Sequence, residues 1–178
     1  NWRHQVEPRA TFTVDNMLRK LGTYLRALGY DTRCDPLLPT LDLIRMSDRE
    51  KRIFLTRNHS IGLQLPVPQQ WRFVAADRPP EQLRWAVNEF GLDTVSFRFM
   101  RCLCCNSQVE EVTDRDLIEA RVPPRVIQCM HHFTRCPDCN RVFWSGSHVR
   151  NTLRVLGLDD SNPPGRETGS TSSPSAAP

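Results

Sequence analysis

The spacing of apolar residues predicts a strand followed by a helix near the start of the chain. Residues 11–14 form a short run of strand-favouring residue types. Apolar side chains then recur at helical spacing from Met17 to Leu28, and Gly29 follows as an expected helix stop. Together these residues predict a first β–α unit.

The alternation of strand and helix patterns continues as far as residue 90. The predicted elements are a weak strand over residues 31–34, a helix over 41–50, a strand over 52–56, a strand over 71–76 and a helix over 80–90. Strands separated by helices predict an α/β fold with a mostly parallel sheet flanked by helices. Polar residues that follow such strands meet at one edge of the sheet, where ligands bind.

The character of the sequence changes near residue 96. Residues 96–156 are rich in Cys, His and Arg and show weak periodicity, so we expect a second, small module that needs a metal or cross-link to fold. From residue 157 to residue 178 Gly, Ser, Thr and Pro dominate, which predicts a disordered tail. Residues 1–10 are interpreted as an N-terminal linker and residues 11–95 as the α/β domain.

The basic residues are almost all arginines. Only Lys20 and Lys51 are lysines among 24 basic residues, and residues 1–156 carry 23 basic against 17 acidic residues. The planar arginine side chain suits phosphate and stacks on bases, so the composition favours a nucleic-acid partner over other partners. A merely solvated basic surface is the alternative.

The sequence also gives an expectation for the cellular location of the protein. No run approaches the roughly 18 apolar residues that a membrane span needs, and the first residues have neither an initiator Met nor a targeting pattern. We therefore expect a piece of a longer soluble protein with no membrane partner. Seven cysteines without a secretory signal favour a reducing, intracellular setting, either cytoplasmic or nuclear.

Two C-x-x-C-N motifs predict a zinc site. One tight turn of this spacing aims two thiolates at one tetrahedral Zn²⁺, and Asn106 and Asn140 follow the two pairs where a left-handed residue is often needed. The four expected ligands are Cys102, Cys105, Cys136 and Cys139. Four thiolates leave no open coordination position, so the expected zinc is structural.

Other cysteines and histidines lie near these motifs. Cys129 or His131 could replace one thiolate, but neither belongs to a repeated turn, and Cys104 and His132 are interpreted as neighbours without a ligand role.

Several acids follow or flank the predicted strands. They are Asp15, Asp31, Asp35, Asp42 and Asp77. Carboxylates gathered at one sheet edge repel each other unless a hard cation binds, and such an arrangement suits Mg²⁺- or Mn²⁺-dependent hydrolysis of phosphodiesters. For Asp15 a plain helix cap is an equal alternative.

Five blocks of sequence occur in a definite order along the chain. They are residues 12–21, 24–31, 52–57, 101–106 and 136–148. Over about residues 10–156 this order resembles the Mut-seven C-terminal RNase domain. The resemblance implies a PIN-like fold followed by a zinc ribbon, with single-stranded RNA as the substrate. It also implies a Nibbler-type 3′–5′ exoribonuclease with a DEDD exonuclease domain upstream.

The resemblance assigns catalytic positions residue by residue. Asp15 and Asp42 match the family's metal-binding acids, and Asp77 is a candidate late acid. Asn58 departs from the pattern, because the family usually has Asp at this position. Asn keeps an oxygen ligand but loses a charge, which weakens the binding of a catalytic Mg²⁺ or Mn²⁺.

Four basic residues are candidates for RNA contact. They are Arg19, Lys20, Arg26 and Arg57. The first three are expected on the polar side of the first helix and Arg57 beside the acidic site, where each could contact phosphate. Trp144 is expected to pack beside the zinc turn. His148 could either bond to a loop carbonyl or contact RNA, and His59 is either an exposed side chain or an RNA contact.

Two classes of function follow from the sequence. The first is a metal-dependent ribonuclease domain with a weakened acidic site. The second is a non-catalytic module that binds RNA or docks protein in support of an upstream exonuclease domain. Asn58 favours the second class, whereas Asp15 and Asp42 favour the first.

Overall fold

The computed structural model describes residues 10–144 and residue 157. Four parallel strands form the first sheet in the order β2-β1-β3-β4. The strands are β1 (Phe12–Val14), β2 (Thr32–Arg33), β3 (Ile53–Thr56) and β4 (Trp71–Phe73). The predicted α/β class with a parallel sheet flanked by helices is confirmed.

Three helices cover this sheet. They are α1 (Arg19–Ala27), which follows a short 3-10 turn, α2 (Thr40–Arg49) and α3 (Pro79–Phe90). Apolar side chains of α1 and α3 pack on one face against Phe12, Val14 and Leu55. Helix α2 packs on the opposite face against Phe54, because successive strand residues point to opposite faces.

A second, antiparallel sheet follows, in the order β5-β6-β7. Its strands are β5 (Glu110–Glu111), β6 (Phe133–Arg135) and β7 (Val142–Trp144), and two short helices, α4 (Arg115–Arg121) and α5 (Pro124–Cys129), lie between β5 and β6. Its apolar side chains form two small clusters, one around Cys102, Val109 and Cys136 and the other around Ile118, Val122 and Phe133.

The structure refines several sequence-based expectations. Gly29 has the left-handed φ of 94° that a helix stop requires. The strand predicted over residues 71–76 ends at Phe73, and α4 and α5 were not predicted at all. Within residues 10–144, no helix is long and apolar enough to cross a membrane. Apart from residues 10 and 157, the expected linker and tail lie outside the described residues, as does His148.

Candidate functional site

The carboxyl ends of the parallel strands bring three predicted site segments to one edge of the first sheet. Asp15 follows β1 directly, Arg57 and Asn58 follow β3, and Asp77 lies four residues after β4. Because β1, β3 and β4 are parallel neighbours, these segments share the edge at which ligands bind in such sheets.

Asp15 is buried and strongly engaged with its own chain. One carboxylate oxygen, Oδ1, accepts a hydrogen bond of 2.9 Å from the Met17 amide and caps the 3-10 turn. The other, Oδ2, accepts from the Thr56 hydroxyl and, at 3.1 Å, from the Arg57 amide. Three donors therefore satisfy a side chain that is only 1% exposed.

Asn58 is connected to Asp15 through one hydroxyl group. The backbone amide of Asn58 donates to Thr56 Oγ1 at 2.9 Å, and the Thr56 hydroxyl in turn donates to the Asp15 carboxylate. The side-chain oxygen of Asn58 accepts from the Ser60 amide at 2.9 Å. This oxygen, which was expected to act as a metal ligand, shapes the loop after β3 instead.

The Arg57 side chain connects the loop after β3 to the loop after β4 through hydrogen bonds. Its Nη1 donates to the carbonyls of Val74, Ala75 and Ala76, and its Nη2 donates to the Asp77 carboxylate. The carbonyls that follow Phe73 therefore bond to a side chain. Asp77 itself is exposed.

The predicted acids do not gather into a metal site. Asp42 lies in the first turn of α2, half exposed, and pairs with Arg45 at 3.3 Å. In the described part of the chain, no three carboxylates bring their oxygens together, and the cysteines form the one cluster of three or more metal-ligating side chains. No three of the predicted acids therefore share a site in this arrangement, and a catalytic Mg²⁺ or Mn²⁺ held by Asp15, Asp42, Asn58 and Asp77 stays a prediction.

The basic candidates divide into two groups. Arg19 and Lys20 are exposed at the start of α1, as expected. Arg26 is only 6% exposed, so its expected position on the polar face of the helix is wrong. Its Nε donates to the carbonyl of Thr32 at 2.9 Å, and its Nη1 donates to the carbonyls of Leu103 at 3.0 Å and Cys104 at 2.9 Å.

The four predicted zinc ligands form a compact cluster. The sulfurs of Cys102, Cys105, Cys136 and Cys139 all lie within 4.8 Å of one another. The closest pairs are 3.3 Å for Cys105 and Cys136 and 3.6 Å for Cys102 and Cys139. Tetrahedral zinc with bonds of about 2.3 Å needs sulfurs about 3.8 Å apart, so this donor set fits a metal such as zinc.

The two turns that hold these sulfurs are nearly identical in structure. In the first, Cys102 N donates to Ser107 O at 2.8 Å and Asn106 N to Cys102 O at 3.0 Å. In the second, Cys136 N donates to Arg141 O at 2.9 Å and Asn140 N to Cys136 O at 3.0 Å. Asn106 and Asn140 have φ angles of 71° and 58°, which confirms the left-handed conformation expected for both.

The electrostatics of the cluster favour a cation. Burial would raise the pKa of the Cys105 thiol, yet hydrogen bonds from Ser107 and the neighbouring thiols lower it to about 6. Burial raises the pKa of Cys102. A bound divalent cation would stabilise the thiolate form of these cysteines.

The first cysteine turn is attached to the edge of the parallel sheet. Asn106 Oδ1 accepts from the Thr32 amide of β2 at 2.9 Å, and Asn106 Nδ2 donates to Asp31 at 2.6 Å. Asp31 also binds Arg52 through two contacts of 2.7 and 3.0 Å. Burial alone would raise the pKa of Asp31, but hydrogen bonds from Arg52 and Asn106 outweigh burial and lower it.

The Mut7-C RNAse domain family matches residues 10–156. The chain belongs to this family. The family resemblance noted in the sequence is therefore confirmed, and the family name indicates a nuclease-like function related to RNA. No curated protein and no solved structure matches the chain.

In this Mut7-C domain, the side chains beside the cysteine cluster differ from expectation. Phe143, not Trp144, packs against the cluster, whereas Trp144 packs against the group formed by Ile118, Val122 and Phe133. The two aromatic residues are neighbours on β7, so they point to opposite faces of the sheet. The exposed thiol of Cys104 lies outside the cluster and accepts from Arg141 at 2.7 Å.

Three residues important to the Mut7-C site were not singled out for these roles. Thr56 bridges Asp15 and Asn58, Arg26 joins α1 to the cysteine turn, and Asn106 bonds to β2. Thr56 could have been found as the polar end of a buried strand. The bonds from Arg26 to the turn and from Asn106 to β2 span more than 70 positions in the sequence, and no local pattern carries that information.

Proposed function

We propose that this chain is an RNA-binding domain of ribonuclease descent, with little phosphodiester hydrolysis of its own. Membership of the Mut7-C RNAse domain family supports the RNA partner and the ancestry. The hydrogen bonds and ion pairs that the predicted acids make within the chain support the loss of hydrolysis. This is the second of the two classes that the sequence left open.

One observation carries the proposal: Asp15, Asp42 and Asp77 each already have a partner within the chain. Asp15 accepts three hydrogen bonds from its own chain, Asp77 is paired with Arg57, and Asp42 is paired with Arg45. A catalytic metal needs several free carboxylate oxygens converging within about 2.5 Å of the ion. The guanidinium of Arg57 supplies positive charge at this edge in place of a metal.

RNA is held through its phosphates in this proposal. Arg19 and Lys20 are exposed and lie at the start of α1, just after the carboxyl end of β1. The net positive charge of residues 1–156, 23 basic against 17 acidic residues, acts in the same direction.

The metal in this proposal is structural zinc. Four cysteine thiolates would fill its coordination sphere and leave no position for water or substrate. The zinc would hold the antiparallel sheet together, where only small apolar clusters are present.

We also propose the context in which the domain works. Residues 11–95 form a PIN-like domain and residues 96–156 a zinc ribbon. The RNA that they hold is cut by a 3′–5′ exonuclease domain located upstream in the full-length protein, which is intracellular.

The test measures RNA binding and cleavage separately. Affinity for a single-stranded RNA is measured over a range of salt concentrations, with and without Mn²⁺, and cleavage is followed in the same samples. We expect affinity to fall steeply with salt, binding to be independent of Mn²⁺, and cleavage to be weak or undetectable.

Two matched variants make the test specific. Arg19→Gln should weaken RNA binding and reduce the salt dependence, whereas Arg115→Gln, on exposed helix α4, should change neither. Efficient Mn²⁺-dependent cleavage that Asp15→Asn abolishes would instead establish the catalytic alternative. Absence of salt-sensitive RNA binding would refute the RNA-binding role.

A further inference from the structure

Two aromatic rings meet at the carboxyl edge of the parallel sheet. The ring centroids of His59 and Phe73 are 4.7 Å apart, and the ring planes are inclined at 43°. Phe73 is the last residue of β4, and His59 lies in the loop after β3. Thr56, the last residue of β3, is the register partner of Phe73, so the pair sits where these two strands end.

Phe73 does not contribute to the core as its strand neighbour does. Trp71 lies two positions earlier, on the same face of β4, and packs with Phe54 and α2. Phe73 belongs to none of the apolar clusters formed by the described residues. Its half-buried ring contacts the ring of His59.

His59 is exposed, and its imidazole has no polar partner in the described part of the chain. A histidine that served only to order the loop would be expected to hydrogen-bond to it. Here the loop is ordered by Asn58, whose side chain accepts from the Ser60 amide. The imidazole face is therefore available to an external ring.

The surroundings of the ring pair suit a nucleic-acid strand. The exposed apolar side chains Met17 and Leu63 lie in the segments that follow β1 and β3, and Arg19 and Lys20 open α1 just beyond Met17. Cations that meet phosphate, next to aromatic rings that meet bases, are the combination used to bind single strands.

We propose that His59, supported by Phe73, is a stacking platform for one unpaired base of a single-stranded RNA. This inference rests on the proposed RNA-binding function and adds to it a contact with the base itself. Stacking discriminates poorly between bases, because every base has a π face, so the platform favours unpaired over paired RNA without reading a sequence.

The experiment compares two probes of equal length and charge. One is a short single-stranded oligoribonucleotide that contains the fluorescent base 2-aminopurine, and the other is its abasic counterpart. The full chain should bind the base-containing strand at least about fivefold more tightly than the abasic strand, and 2-aminopurine fluorescence should fall on binding.

The variants locate the contact. His59→Ala should lower affinity for the base-containing strand about fivefold, leave abasic binding unchanged and abolish the fluorescence change. His59→Trp should keep all three properties of the natural chain, because it retains an aromatic face. His131→Ala, which removes another exposed imidazole next to β6, is the matched control and should have no effect.

The outcomes separate this inference from the proposed function. If both probes bind equally well and salt weakens both, RNA binding stands and the stacking platform is wrong. The platform is also wrong if His131→Ala removes the preference as fully as His59→Ala does. If neither probe binds, the proposed function fails together with the platform.

Discussion

Arg26 and Arg57 show how a side chain that suits phosphate can be used to hold backbone instead. The Arg26 guanidinium donates to the carbonyl of Thr32 in edge strand β2 and to the turn carbonyl of Leu103, and that of Arg57 donates to the Val74 and Ala75 carbonyls beyond the end of β4. Carbonyls left without partners in a buried place cost about 1–3 kcal/mol each. Both arginines therefore contribute to folding as well as to surface charge.

The first prediction concerns Arg26. Arg26→Met keeps the apolar stem but removes the donors to Thr32, Leu103 and Cys104, so we expect the free energy of unfolding to fall by about 2 kcal/mol or more. Arg19→Met, on the exposed side of the same helix, should change it by less than about 0.5 kcal/mol. Urea denaturation measures both, and equal losses would contradict the assignment.

The second prediction concerns Asn58. Asn58→Asp can still accept from the Ser60 amide and places a second carboxylate two residues after Thr56, whose hydroxyl donates to Asp15. We expect this variant to bind Mn²⁺ more tightly than the natural chain and to raise Mn²⁺-dependent cleavage of single-stranded RNA. Adding Asp15→Asn should remove the gain, and a gain that survives this second change would place the chemistry elsewhere.

At the residue scale, sequence patterns identified the functional side chains better than they identified the burial and contacts of those side chains. The four cysteines were predictable because a repeated local motif positions them. Arg26 was assigned to the wrong environment, because helical periodicity cannot show that the cysteine turn packs against that side of α1. Asp15 was found, but its saturation by Thr56 and Arg57 depends on the pairing of β1 with β3.

At the scale of elements, the parallel sheet followed the predicted order closely and the second module did not. Strong apolar runs made β1 and β3 recognisable, whereas α4 is short and polar. Its signals are Asp114, whose side chain accepts from the amides of Asp116 and Leu117, and the pair of Ile118 and Val122. These signals are clear only once the helix is known.

The third prediction concerns the cysteine cluster. The purified chain should contain one zinc, Cys136→Ser should lose it, and Cys104→Ser should keep it, because Cys104 lies outside the cluster. Elemental analysis measures this. Because Asn106 accepts from the Thr32 amide, removing zinc with a chelator should also speed hydrogen exchange at Thr32 in β2. Zinc retained by Cys136→Ser would contradict the ligand set.

At the scale of the whole molecule, the two sheets depend on each other. The side chains of Arg26 and Asn106 form hydrogen bonds that connect the two parts of the chain, and Arg101 donates to Gly29 O at 3.2 Å. Phe97 lies so close to Gly29 that a Cβ added to this glycine would clash with it. The change to Cys-, His- and Arg-rich sequence suggested two units with a boundary near residue 96, but the hydrogen bonds that cross this boundary link residues far apart in the sequence. Sequence patterning detects apolar faces, so it could not anticipate this attachment.

The fourth prediction follows from this dependence. A fragment of residues 10–95 loses every partner of Arg26 in the cysteine turn and uncovers the edge of β2, so we expect it to be unstable and to self-associate. Size-exclusion chromatography and thermal unfolding, with the full chain as control, measure this. A monomeric fragment that unfolds cooperatively would contradict it.

The two C-x-x-C-N turns have similar backbones, but their asparagines differ in which substitutions they tolerate. Both asparagines adopt a left-handed backbone that glycine adopts freely. The Asn140 side chain is exposed, whereas that of Asn106 holds both β2 and Asp31. We therefore expect Asn140→Gly to leave stability within about 0.5 kcal/mol and Asn106→Gly to lower it by about 2 kcal/mol, as measured by urea denaturation. Mutation can then exchange Asn for Gly freely in the second turn, while selection for a folded chain retains Asn in the first.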